Sequence, residues 1–411
     1  NTYVGYKAGQ GASGQSNSSN TAVGTEALLA ITTGDGNTVM GNSAADAMTD
    51  GASNVAMGVG ALGASTSVQN AVAIGYTAMN ANATTGANGT VAIGHTALNA
   101  LTSGAGNVAV GLGAGKTLTT GSYNTVVGHE AGDAFATNTS HNTAVGYNAL
   151  SASNTSGDSR NTALGSGALS SLTSGTNNVA IGNNTFDAAA DDESWNVAIG
   201  VNAMGACDQG SHASADIDDN VAIGYNALLG GDLGSGNVNV TQNVVVGYNA
   251  MDGTGTLGAN NNVFMGAYAG GGTWSTAESN WNVGIGHSVM TGAMNDADHN
   301  TAVGNESLKV LTTGDRNTVV GSQSGIALTS GGYNTILGGG AGKVTTDVDN
   351  AVIIGYGACA DGALDNNADG TVAIGYDSLK ALTSGGRNTA IGYEALSTAT
   401  ALTHNIAIGY K

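Results

Sequence analysis

The residues in this chain best suited to chemistry are its acids. They gather in short clusters: Asp191, Asp192 and Glu193; Asp216, Asp218 and Asp219; Asp296 and Asp298; Asp347 and Asp349. Neighbouring carboxylates together with backbone carbonyls can hold Ca²⁺, which takes six to eight oxygen ligands. Asp191, Asp192, Asp216, Asp218 and Asp219 are the candidate ligands, although no cluster follows an EF-hand loop or the Gly-Gly-x-Gly-x-Asp nonapeptide. Solvated loop charge explains the same residues without an ion. Aromatic residues offer a second kind of chemistry. Trp195, Trp274 and Trp281 are the three tryptophans, and on a polar surface they would suit contact with glycan or protein. A row of Tyr76, Tyr147, Tyr225, Tyr248, Tyr356, Tyr376, Tyr393 and Tyr410, with His95, His129 and His287 in equivalent places, is either a sugar-stacking ladder or a stack that serves the fold. Catalysis finds little support. Serines are plentiful, but no Gly-x-Ser-x-Gly elbow stands beside a matching His and acid.

Composition narrows the classes further. The chain has 411 residues, of which 9% are charged, and it contains 68 Gly and no Pro. A net charge of −20 opposes any polyanionic partner, so nucleic acid is excluded. No apolar run approaches the roughly 18–20 residues of a helical membrane span, so the segment is not expected to insert in a membrane. Cys207 and Cys359 lie too far apart in sequence to suggest a metal site or a disulfide framework. Hydrophobic residues still make up 41%, mostly Ala, Val and Ile, which argues against a disordered chain.

What positions every one of these residues is a repeat. The pattern Asn-Thr-Ala-Val-Gly-Tyr-x-Ala-Leu-x-x-Leu-Thr-Ser-Gly-x-x, seventeen positions long, recurs along the chain, and its first five positions can be counted 23 times. The commonest spacing is the one that separates Gly41 from Gly58 and Gly304 from Gly321. Position two is Thr, Val or Ile in every copy, and position four is Val, Ile, Leu or Met. β-Branched residues at spacing two mark a short strand with both side chains on one face. Position three, mostly Ala, points to the other face and is apolar as well. A strand apolar on both faces is covered on both. The fifth-position Gly allows a bend that a Cβ would block. The first-position Asn, as in Asn178, Asn196 and Asn220 with their partner glycines Gly182, Gly200 and Gly224, would stack into an amide ladder. The second half of the repeat reads as a second short strand or an irregular arc, since so short a period leaves no room for a helix and a return.

A coil this short cannot bury its own face and must stack on its neighbours. The fold class is therefore all-β: one parallel β-solenoid, or β-roll, of about 23 coils across residues 1–411, with loop insertions around 201–247. One apolar face fills the coil and the other leaves an apolar stripe. Soluble monomers rarely expose such stripes, and Ala at positions three and eight would let backbones approach around a common axis. A homotrimer is expected.

The run Asn178-Val-Ala-Ile-Gly182, repeated at Asn196–Gly200 and Asn220–Gly224, resembles the head repeats of YadA-like trimeric autotransporter adhesins. That resemblance implies a left-handed β-roll wound as an obligate homotrimer, outside the cell, attaching to a surface glycan or protein receptor. The family's repeat is shorter than the period found here. The longer form is also similar to repeats in bacteriophage tail fibres, which would make the chain a virion shaft for host recognition. From another class, a polysaccharide-degrading β-helix enzyme would need carboxylates paired across a groove. The chain starts at Asn1, position one of a repeat, and stops at Lys411, position seven of another, so further repeats or domains are expected to flank it.

Overall fold

The computed structural model describes residues 1–411 apart from 12–14, 154–156, 209–215, 232–238, 256 and 275–276. The chain forms two compact units, Asn1–Trp195 and Asn196–Lys411. Both are parallel β-solenoids with no α-helix among the described residues. The first unit carries eleven three-residue strands, from Thr2–Val4 to Val179–Ile181, and the second carries twelve, from Val197–Ile199 to Ile406–Ile408. Within each unit, successive strands pair in parallel and in register, so that Thr301 faces Thr318, Ala302 faces Val319 and Val303 faces Val320. The pairing offset equals the repeat there and lengthens where the sequence is padded, as where Val197 faces Val221. Within the insertion region 201–247, residues 209–215 and 232–238 lie outside the described residues.

Alternation along the strand decides what is inside. Position three is buried throughout the interior strands, as is position eight, and positions nine and twelve are buried in most coils. Ala22, Ala27, Leu28 and Ile31 of one coil all have no solvent exposure. Positions two and four face outward, half-buried or exposed. This corrects the expectation that Ala at positions three and eight lines a contact between chains. Both line the coil's own interior, where position three is Ala in most coils and a buried Val, Ile or Phe in others, as at Val319, Ile336 and Phe264. Volume is traded between neighbours. Phe264 at position three lies opposite Gly284, where a Cβ would come within 2.6 Å of the Phe264 ring.

The corner Asn closes each coil and joins it to the next. In Asn317, Nδ2 donates to Gly331 O of the same coil at 2.9 Å and to Asn300 Oδ1 of the preceding coil at 3.0 Å. Its Oδ1 accepts from both Asn334 N and Asn334 Nδ2, at 3.1 and 2.9 Å. The ladder breaks at Ala71 and Thr90, and again at Ala351 and Thr371. Both breaks coincide with the two one-turn 3₁₀ segments, Thr85–Ala87 and Asn366–Ala368.

The fifth-position glycines are required on two counts. Gly321 has φ +143°, and a Cβ there would sit 2.5 Å from the carbonyl oxygen of Gly338 in the next coil. The second half of the repeat is an arc of turns, with residues seven and nine in the left-handed region even where they are not glycine, as at Glu306 (φ 56°) and Leu308 (φ 47°). No second three-residue strand forms in the arc among the described residues. Its backbone still bonds from coil to coil, for example Glu306 N to His287 O at 2.9 Å.

Candidate interaction surface

Two exposed columns flank the strands on their outward side. The first is position six, immediately after the fifth-position Gly. Its rings stack on one another from coil to coil. Tyr356–Tyr376, Tyr376–Tyr393 and Tyr393–Tyr410 have centroids 5.8, 5.0 and 5.4 Å apart and planes within 14°. Tyr225–Tyr248 and Tyr76–His95 stack in the same way at 5.3 and 5.1 Å. Inside such a stack each ring face is occupied by its neighbour. Only the edges and hydroxyls meet solvent, so the body of the ladder cannot take a sugar ring face-on.

The second column was not read from the sequence. It is the residue just before the corner Asn, and at every such place the backbone is left-handed, from Ser19 (φ 58°) to His404 (φ 62°). Residues with positive φ are ordinarily Gly or Asn. Here the position carries Tyr123, His141, Arg160 and Trp195 in the first unit, and Trp281, His299, Arg316, Tyr333 and Arg387 in the second. Trp281 stacks on His299 with centroids 4.8 Å apart and planes 5° from parallel. Arg316 lies over the Tyr333 ring at 5.3 Å and donates to its hydroxyl at 3.0 Å. The sequence signal was present, because Gly, Asn and Ser share the column with these large residues. No single coil makes it visible.

The candidate tryptophans separate. Trp195 and Trp281 are 56% and 49% exposed, in this second column. Trp274 is only 3% exposed, and its Nε1 has no hydrogen-bond partner among the described residues. Trp274 is thereby removed from the recognition candidates: its ring fills a coil interior.

The main-chain groups of Asp191, Asp192, Asp216 and Asp218 take part in local and coil-to-coil hydrogen bonds. Asp191 donates its N–H to Glu193 Oε2 at 3.0 Å, and its carbonyl accepts from Ser174 and Gly175. The Asp192 carbonyl accepts from Ser194 Oγ. Asp216 bonds Asn239 and Val240, the Asp218 carbonyl accepts from Gln242, and Asp219 is one of the exposed left-handed residues. Among the described residues no three His, Cys, Asp or Glu side chains converge as a metal site. Asn178, Asn196 and Asn220 are corner residues, and Gly182, Gly200 and Gly224 are strand-end glycines with φ between 132° and 139°. Cys207 and Cys359 are buried and not joined in a disulfide, and burial pushes the Cys359 thiol up to about 12.

A catalytic reading gains one His–Asp pair. His141 Nδ1 lies 2.9 Å from Asp158 Oδ1, and Arg160 holds the other carboxylate oxygen at 2.8 Å. The neighbouring Ser140 hydroxyl donates to the Asn138 carbonyl rather than to the pair. All three side chains are solvent-exposed.

Lys380 lies near the start of the longest tyrosine stack. It bridges Asp377 at 3.0 Å and Asp361 at 3.7 Å, and the hydrogen bond to Asp377 holds its ammonium above the ordinary lysine value. Together with Lys343, Tyr356 and Gly339 these side chains border a cleft of about 340 Å³. Comparison with known proteins finds no matching family model, no matching curated protein and no matching solved structure.

Proposed function

We propose that this chain is a structural and adhesive segment of an extracellular fibre, assembled as a left-handed homotrimer and used for attachment to a surface. The observation that carries the reading is the outward face of the strands. Positions two and four repeat Val, Ile, Leu, Met and Thr from coil to coil, and Met40, Leu164, Ile223, Met265, Ile285 and Val320 are all more than a third exposed. Apolar residues exposed on this face in each unit are stabilised by burial against sister chains. Aromatic stretches in the columns on either side of that face leave polar edges for the solvent, as a fibre needs. A shaft built from many copies of one short coil also supports mechanical load, since each added coil brings the same ladder of hydrogen bonds.

Light scattering and sedimentation of the purified chain test the assembly. A trimer that persists on dilution to micromolar concentration is expected. A mass of 39.9 kDa under those conditions would remove the basis for the proposal.

A further inference from the structure

The tyrosine stack from Tyr356 to Tyr410 has an open end inside the repeat array. Tyr356 is covered on one face by Tyr376, but the coil before it carries Gly339 at position six and the coil before that carries Ser322. A Cβ on Gly339 would lie 3.4 Å from the Tyr356 ring, so the missing side chain is what leaves that face bare. Tyr356 is 66% exposed, well above Tyr376 at 43% and Tyr393 at 46%. The floor beside it is cleared as well. Gly340 and Gly357 occupy position seven in successive coils, and Ala360 stands in the column between Lys343 and Lys380. A Cβ on Gly357 would collide with Asp377 Oδ1, so this glycine also makes room for the carboxylate.

The result is a cleft of about 340 Å³ with one flat aromatic wall and polar groups around it. That volume falls at the low end for small-molecule sites, roughly 300–1,000 Å³, and suits one or two sugar rings. The polar groups divide by charge. Lys380 is neutralised by Asp361 and Asp377. Gln323 donates its amide N–H to Glu306 at 2.9 Å, which turns its amide oxygen free to accept. Lys343 is exposed, and among the described residues it has no carboxylate partner. An unneutralised cation beside an aromatic face calls for a ligand with an apolar ring surface, several hydroxyls and one negative charge.

We propose that this cleft is a subsite for an acidic pyranose, a hexuronate residue of a polysaccharide. The sugar's C–H face lies on the open face of Tyr356. Its carboxylate pairs with Lys343, and its hydroxyls donate to Asp361, Asp377 and the Gln323 amide oxygen. The attachment reading supplies the biological purpose of this site, while the binding chemistry stands on the cleft alone.

The test uses the full chain and two probes, a tetrasaccharide of 1,4-linked galacturonate and the neutral tetrasaccharide of 1,4-linked glucose, by calorimetric titration. The galacturonate probe binds saturably and better than the neutral one. Gly339→Tyr, which completes the stack and closes the face, weakens binding by about tenfold or more. Gly339 has no left-handed φ, so a side chain is tolerated there, and unchanged circular dichroism and sedimentation identify a folded variant. Lys343→Met narrows the preference for the acidic probe by about tenfold. Absence of saturable galacturonate binding overturns the proposal, and so does binding that Gly339→Tyr leaves unchanged. Retention of the fibre on cell envelopes is scored separately. Retention without oligosaccharide binding ends the subsite and leaves the attachment reading standing. Oligosaccharide binding without retention on any surface displaying polygalacturonate does the reverse.

Discussion

Replacing Asn317 separates the corner ladder's two contributions, shape and hydrogen bonding. The side chain is fully buried and makes four hydrogen bonds: two donated from Nδ2, to Asn300 Oδ1 and Gly331 O, and two accepted at Oδ1 from Asn334. Asn317→Ala loses all four and, at about 1 kcal/mol each, costs roughly 4 kcal/mol. Asn317→Asp keeps the shape and the two bonds at Oδ1. It puts a second carboxylate oxygen where Nδ2 stood, 3.0 Å from Asn300 Oδ1 and 2.9 Å from Gly331 O, with no water to solvate the charge. At neutral pH the aspartate variant is therefore the less stable of the two, although it is nearly isosteric with the native residue. The sign reverses on acidification. Burial beside two oxygens raises the folded-state pKa of the new carboxyl, so the penalty is fully present above that value and shrinks as pH falls from it towards the ordinary carboxyl value. The protonated acid then donates to one of the two carbonyl oxygens and overtakes alanine. Guanidinium unfolding followed by circular dichroism at neutral and acid pH reads the difference. Hydrogen exchange at Thr301–Val303, Thr318–Val320 and Thr335–Leu337 localises it to the adjoining strands, because stability in a stack is shared between nearest neighbours. An aspartate variant as stable as the alanine variant at neutral pH, or a gap that does not close in acid, refutes this account of the corner.

Three further outcomes follow from the geometry. Gly321→Ala forces a Cβ to within 2.5 Å of the Gly338 carbonyl at φ +143° and costs about 3 kcal/mol or more, whereas Gly340→Ala, at φ +61° with open space around it, costs about 1 kcal/mol; equal unfolding midpoints would contradict the stacking role of the glycine column. Thr77 is β-branched at φ 47°, so Thr77→Gly relieves strain and stabilises by up to about 1 kcal/mol, measurable as a higher denaturation midpoint. The pH profile is set mainly by Asp46, Asp133, Asp187, Asp252 and Asp298, each raised above the ordinary value of 3.8 chiefly by desolvation. Their ionised forms cost stability at neutral pH, and the native state takes up protons first, so melting temperature rises as pH falls through their folded pKa values towards 3.8. Glu306 is lowered by its hydrogen bonds to Lys309 and Gln323 and acts the other way, losing its contribution only below its ordinary value of 4.5. A melting temperature that falls steadily from neutral pH to that point would show that these aspartates do not govern the profile.

How much of this was legible beforehand can be judged residue by residue. Thr301, Ala302 and Val303 announce a strand through β-branching, and recurrence of the same triplet forces parallel stacking, because identical positions must meet identical positions. Asn300 announces the corner and Gly304 the bend that follows. The arc at Glu306–Leu308 could be recognised as irregular, but its left-handed residues could not be read from Leu308, whose type disfavours that conformation. Trp274 and Trp281 look alike as sequence, and only their places in the coil make one interior and the other exposed.

The amino-acid order alone therefore determined the period, the strand positions, the parallel register and the amide ladder, since each is a local preference multiplied by repetition. Tertiary structure decided which of two apolar faces turns inward, because the narrow coil admits Ala302 and Val319 but leaves Thr301 and Val303 outside. It also decided where a column of rings is interrupted. Gly339 acquires meaning only when the coil above it places Tyr356 over the gap, and no residue's own chemistry encodes what stands one rung away.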